Sequence, residues 1–162
     1  MTISEGSILP EASLQVMGPN GVVAVSMASK LKGRKVALFG LPGAYTGTCT
    51  IAHVPSFIRT AKGFADKGVD EIICISVNDA FVMQAWGAST GATAAGITML
   101  ADPASEFAKA IGLAYSAPAV GFIDRCKRFS LYAEDGVVKV FHPETGKGTC
   151  DISGGEALLA AI

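Results

Sequence analysis

Val36-Ala37-Leu38-Phe39-Gly40 is a short apolar run bounded by glycine and proline, the pattern of a buried strand. Beyond the loop that follows, Ile51, Val54, Phe57, Ile58 and Ala61 recur at steps of three and four, which predicts an amphipathic helix with Thr48 as its N-cap. Pro55 falls inside that helix, removes a backbone donor and is expected to kink it. Upstream, Ala12–Met17 and Val22–Val25 flank Gly18-Pro19-Asn20-Gly21, a hairpin signal. Downstream, Ile72–Val77 is apolar and β-branched, a central strand covered on both faces, and Asn78-Asp79 caps a helix running to about Trp86. Gly87 to Gly96 is small and glycine-rich and predicts no element, whereas Ile97–Leu100 reads as a strand. Asp102-Pro103 is expected to open a helix with proline in its first position. Alternating runs at Arg128–Ala133 and Val137–Phe141 flank Glu134-Asp135-Gly136 as a second hairpin, and Ser153 is the expected cap of a terminal helix ending at Ile162. Strands alternating with helices, then a closing hairpin and helix, give an α/β three-layer sandwich on a mixed sheet.

Composition narrows the function classes. The chain has 162 residues, half of them hydrophobic, enough for one domain over residues 1–162 with a proper core. A net charge of -1, few aromatics and no basic run leave no electrostatic footprint for nucleic acid. No apolar run approaches the roughly 20 residues of a membrane span, and the first residues lack a basic segment followed by an apolar core. The expected location is the cytoplasm. A positive mean hydropathy in a chain with 19 glycines hints at an apolar surface used in self-association.

Cys49 is the sharpest candidate for chemistry, because the predicted helix begins at it. A helix N-terminus presents unpaired N–H groups and partial positive charge, which favours thiolate over thiol and makes the sulfur a nucleophile at neutral pH. Most free cysteines are small buried hydrophobes, but the glycines and hydroxyls around this one point the other way. His53, four residues on, shares its side of the helix, a spacing that also suits a metal site or a Cys/His hydrolase. Two ligands are too few for a metal, and no third orienting group for a hydrolase is legible, so local packing or capping is the simpler reading. The four cysteines, Cys49, Cys74, Cys126 and Cys150, contain no CxxC, which argues against a thioredoxin-type disulfide reductase.

Pro42, Thr46 and Cys49 form a PxxxTxxC pattern in a strand-to-helix loop, and LFGLPGAYTGTCTIAHVPSF at residues 38–57 resembles the peroxiredoxins, specifically their type II (atypical) branch. ICISVNDAFVMQAWG at residues 73–87 and KRFSLYAEDGVVKV at residues 127–140 follow in that family's order. The resemblance implies the thioredoxin fold with a central mixed sheet and an N-terminal β-hairpin. It implies reduction of hydrogen peroxide and small alkyl hydroperoxides through a sulfenic acid at Cys49, with no cofactor and no metal. Glutathione/glutaredoxin or thioredoxin would then regenerate the thiol. Ionisation alone gains roughly 30-fold over an ordinary thiol at neutral pH, and enzymes deliver about 10⁶-fold or more, so donors around the peroxide must supply the rest.

The family pattern places those donors at Thr46, whose hydroxyl would accept from the peroxide and donate to the sulfur, and at Arg128, facing the cysteine from far along the chain. Arg125 is the competitor for that position. Pro42 would exclude water, and Gly43 would join Thr46, Cys49 and Arg128 in binding substrate. Cys150 resembles the resolving cysteine of animal members, and Cys74 the position retained in plant and bacterial ones, while Cys126 has no counterpart. The family further implies a homodimer packed near its active sites. Gly47 stands where relatives usually carry proline, so the loop is expected to be looser here. The competing reading is a redox-sensing or chaperone-like interaction protein switched by Cys49 oxidation, with turnover incidental.

Overall fold

The computed structural model describes residues 1–146 and 148–162. Its elements, in order, are β1 (Ser13–Gly18), β2 (Gly21–Ser26), α1 (Met27–Leu31), β3 (Lys35–Leu41), a π-helical turn (Cys49–His53), α2 (Val54–Asp66), β4 (Glu71–Ser76), α3 (Ala80–Thr90), β5 (Ile97–Ala101), α4 (Glu106–Ala110), β6 (Ala114–Ala117), β7 (Phe122–Cys126), β8 (Phe129–Glu134), β9 (Val137–Pro143) and α5 (Gly155–Ala160). Seven strands form one sheet in the order β2-β1-β5-β4-β3-β8-β9, and β6-β7 pair separately. The β3–β4 and β4–β5 pairs are parallel, and β1, β2, β8 and β9 join antiparallel, so the sheet is mixed as expected.

Because successive side chains alternate across a sheet, β3 serves two cores. Val36 and Leu38 pack with Leu14, Ile73, Phe107 and Ile111 on the α1/α4 side, whereas Ala37, Phe39 and Leu41 pack with Phe57, Phe64, Trp86 and Leu158 on the α2/α3/α5 side. A strand covered on both faces needs a continuous apolar run, which is the run that stood out in the sequence.

Several boundaries differ from expectation. Thr48 is not a cap: its φ of -59° and ψ of -31° are already helical, and its hydroxyl donates to the Gly148 carbonyl at 2.7 Å. A wide turn precedes Pro55, in which Val54 N–H donates to the Cys49 carbonyl five residues back, so the missing proline donor falls where that turn hands over to α2. The wider turn also shifts the helical phase and leaves Ile51 78 % exposed, off the predicted apolar stripe.

Helix α3 continues one turn beyond Trp86 because Gly87 is a packing glycine. A Cβ there would lie 2.7 Å from Met99 Cγ, and its absence lets the helix settle on β5. Helix α4 starts at Glu106 rather than at Pro103, since the buried Asp102 carboxylate reaches forward to accept from the N–H groups of Phe107 (3.3 Å) and Ala108 (3.0 Å). Gly154, not Ser153, sits at the start of α5, and the Ser153 hydroxyl donates to Glu144 at 2.8 Å.

Candidate active site

The site forms where β3 ends and β8 begins. In the antiparallel β3–β8 pair Gly40 faces Phe129, so the same register sets Arg128 across from Leu41, the residue from which the chain leaves for the Pro42–Thr48 loop. Arg128 and Cys49 are 79 residues apart in sequence, and Arg128 Nη2 donates to the Cys49 sulfur at 3.2 Å. Cys49 is 1 % exposed and Arg128 7 %. A buried guanidinium needs partners on its other donors. Arg128 Nη1 meets His53 Nδ1 at 3.0 Å, and His53 Nε2 meets the Ser153 carbonyl at 2.9 Å.

These two contacts fix the state of the imidazole. A guanidinium only donates and a carbonyl only accepts, so Nδ1 carries the lone pair and Nε2 the proton. Burial, with the Arg128 charge adding to it, pushes the His53 pKa down to about 3. His53 is therefore a neutral brace for Arg128. Sequence reasoning weighed it as a ligand or a base and found neither; the legible signal was its spacing from Cys49, which places both on one side of the turn.

Thr46 begins the helix. Its carbonyl accepts from Thr50 N–H at 3.0 Å, and its hydroxyl donates to the Gly43 carbonyl at 2.6 Å. That proton is committed to backbone, not to the sulfur as expected, and the oxygen's lone pairs remain available to accept. Tyr45 holds a left-handed φ of 63°, a conformation that costs a non-glycine residue about 1 kcal/mol or more. Ala44 N–H donates to Asn78 Oδ1 at 3.0 Å, and the single tryptophan, Trp86, donates to Thr50 at 3.2 Å, so the β4–α3 connection and α3 itself support the loop and the turn after it. Pro42 and Arg128 line a cavity of about 490 Å³ together with Tyr115, Val120, Phe122 and Lys127. Arg125 approaches the loop backbone and donates to the Pro42 carbonyl at 3.1 Å.

The remaining cysteines are free thiols in three settings. Cys74, on β4, is wholly buried among apolar neighbours, and burial, helped by the nearby Cys49, drives its pKa well up. Cys126 is buried and shifted upward for the same first reason. Cys150 is partly exposed, and its pKa is raised chiefly by burial.

A seven-stranded mixed sheet between helical layers, with a buried cysteine at the head of a helix, defines a thioredoxin-fold thiol protein. The Redoxin family pattern matches residues 4–159. Peroxiredoxin-2E-2, chloroplastic, of Oryza sativa subsp. japonica is 42% identical over 165 residues, covering 99% of this chain and 73% of that protein. Peroxiredoxin-2C of Arabidopsis thaliana is 38% identical over 161 residues, covering 99% and 98%. The crystal structure of reduced Prx3 in complex with hydrogen peroxide from Vibrio vulnificus superposes with a TM-score of 0.93 at 39% identity, covering 99% of each chain. The chain belongs to the Redoxin family and, within it, to the type II peroxiredoxins. It is a thiol-dependent peroxidase, an antioxidant enzyme that turns over hydroperoxide at the expense of a thiol.

Proposed function

We propose that Cys49 is the sulfur that reduces hydrogen peroxide and small alkyl hydroperoxides, and that an external thiol, from glutathione with glutaredoxin or from thioredoxin, regenerates it. The observation that carries the assignment is the Arg128 guanidinium donating to the Cys49 sulfur at 3.2 Å. Thiolate sulfur attacks one peroxide oxygen in line; an S–O bond forms, the O–O bond breaks, and sulfur is oxidised by two electrons to sulfenic acid. The other oxygen leaves as hydroxide or alkoxide and takes up a proton. Thr46, whose own proton lies on Gly43, accepts from the peroxide O–H and orients it, while Arg128 stabilises charge as it passes from sulfur to the departing oxygen. Pro42 walls the site from water. An incoming thiol then displaces water from the sulfenic acid to give a mixed disulfide, and a second thiol releases Cys49.

The settings of the other three cysteines support an external reductant. Cys74 and Cys126 are buried with raised pKa values, which makes them poor attacking thiols, and Cys150 is half-buried and shifted the same way. Exposed apolar side chains lie at the Cys49 end of the sheet, with Tyr45 and Ile51 following β3, Phe81 following β4 and Val120 lining the Pro42–Arg128 cavity, which supports a homodimer packed beside its active sites. Four cysteines without a CxxC suit a reducing compartment, here the cytoplasm.

Mass spectrometry after one equivalent of peroxide, with glutathione present, tests the cycle. Glutathione attached at Cys49 is the expected product. A Cys49–Cys150 or Cys49–Cys74 disulfide formed in its place would show internal resolution, and peroxide consumption ending at one equivalent under every reductant would return the sensor reading.

A further inference from the structure

Arg128 faces the sulfur, and a second guanidinium faces the backbone that carries it. Arg125 donates to the Pro42 carbonyl at 3.1 Å, and its Nη1 lies only 2.5 Å from where a Cβ on Gly43 would stand. Glycine at position 43 is thus a requirement of Arg125's approach. The next carbonyl, that of Gly43, receives both the Thr46 hydroxyl (2.6 Å) and the Thr46 N–H (3.4 Å). Pro42 and Gly43 carbonyls belong to one turn, so a shift at the first moves the second and with it the hydroxyl that orients peroxide.

The fold aims this arginine at some cost. Asp124, the residue before it, holds a left-handed φ of 50°, and the β6–β7 register slips between Tyr115 and Ala117. Such irregularities redirect a side chain that a regular strand would point elsewhere. Asp124 is pinned in place, its carboxylate on Lys109 at 2.8 Å and its N–H on the Ser116 hydroxyl at 2.9 Å. The guanidinium itself lies over the Phe122 ring, 5.1 Å from the centroid.

We propose that Arg125 is a positioning residue, a latch that holds the Pro42–Gly43 turn closed for peroxide reduction and must let go for the sulfenic acid to be reduced. Cys49 is 1 % exposed, so its oxidised sulfur meets an external thiol only after the loop opens. The latch holds a loop already strained at Tyr45, which favours release. One hydrogen bond to Pro42 therefore acts with opposite sign on the two halves of the cycle. A merely structural arginine would slow both halves or neither.

The inference rests on Cys49 being the reacting sulfur, so the experiment carries Cys49→Ser as its control. Stopped-flow fluorescence of Trp86, bonded to Thr50 in the reacting turn, follows oxidation by peroxide and then reduction by glutathione in separate single turnovers. Arg125→Ala is expected to lower the oxidation rate constant by about tenfold or more and to raise the reduction rate constant several-fold. Arg125→Lys, which keeps a donor for the Pro42 carbonyl, should fall between it and the parent. Gly43→Ala, which displaces the guanidinium without removing its charge, should also speed reduction, and it carries the test together with Arg125→Lys if the alanine variant does not fold. Parallel changes in both half-reactions, or no change in either, would overturn the latch. Peroxide consumption by Cys49→Ser would overturn the assignment of the sulfur instead.

Discussion

Two neighbouring strands, β3 and β4, run parallel, end at the same edge of the molecule and each hand the chain to a helix, yet the two junctions are built by opposite rules. After β4, Asp79 takes an extended conformation, its carboxylate accepts from Val82 N–H at 2.8 Å, and α3 runs regularly to a left-handed Gly91. After β3, a tyrosine is left-handed, the threonine that starts the helix caps nothing with its side chain, and the helix passes through a π-helical turn at Cys49–His53. The regular junction supports the irregular one through Asn78 to Ala44 and Trp86 to Thr50. Local rules are broken where a backbone must aim groups at a substrate, and the stability for this comes from a neighbour that keeps them.

If the contrast is functional, removing the group that the β3 junction serves should leave the fold and destroy the rate. Arg128→Met keeps much of the side-chain bulk and deletes the donor to sulfur; kcat/KM for peroxide should fall by about 10²- to 10³-fold in a steady-state coupled assay, with α3 and its Trp86 environment unchanged. A loss of less than tenfold would mean that the β3 junction is unusual for some reason other than catalysis.

The brace behind Arg128 makes a smaller and pH-dependent contribution. His53 binds a proton with a pKa near 6.5 when unfolded but about 3 when folded, so below about pH 6.5 the unfolded chain holds more protons. Its contribution to stability is complete above about pH 6.5 and is lost as pH falls toward about 3. His53→Gln removes that titration, and urea denaturation between about pH 6.5 and pH 4 should show a slope shallower than the parent's by up to about 1.4 kcal/mol per pH unit. Equal slopes would show that the imidazole is already charged in the folded protein.

How much of this was readable beforehand follows the same division. The strands, both hairpins and the Asp79 cap were legible because apolar periodicity and turn chemistry are local, and the sheet built from them obeys those local preferences. Cys49 stood out because the predicted helix begins at it; Thr46, Arg128 and Pro42 were singled out through a resemblance, and the structure brings Cys49 and Arg128 together by a strand register that no single segment contains. His53 as brace and Arg125 as backbone clamp were not legible, since each is defined by what lies 75 or 83 residues away. The start of α4 was misplaced for a related reason: the group capping it is a buried carboxylate outside the helix, and Pro103 signalled a boundary that tertiary contact moved. The small β6–β7 hairpin escaped because its strands are short and the turn that joins them opens on Pro118.

The finest test of the contrast lies at Gly47, the first helical residue of the irregular junction, following Thr46, whose carbonyl takes the first helical bond. Nothing lies within 4 Å of a Cβ built on Gly47, and its φ is outside the left-handed region, so the position does not demand glycine. Proline is favoured at a first helical position, where its missing N–H has no intrahelical partner to lose, and it narrows the unfolded ensemble. Gly47→Pro should therefore stabilise the protein by about 0.4–1 kcal/mol. It should leave oxidation of Cys49 near the parent rate, because the closed loop already has the required geometry. Reduction of the sulfenic acid should slow, by about the two- to fivefold that this energy represents, because the open loop has lost freedom. A variant that gains stability while both half-reactions stay unchanged would show that the looseness of this junction is incidental, and that its irregular backbone serves the oxidation step alone.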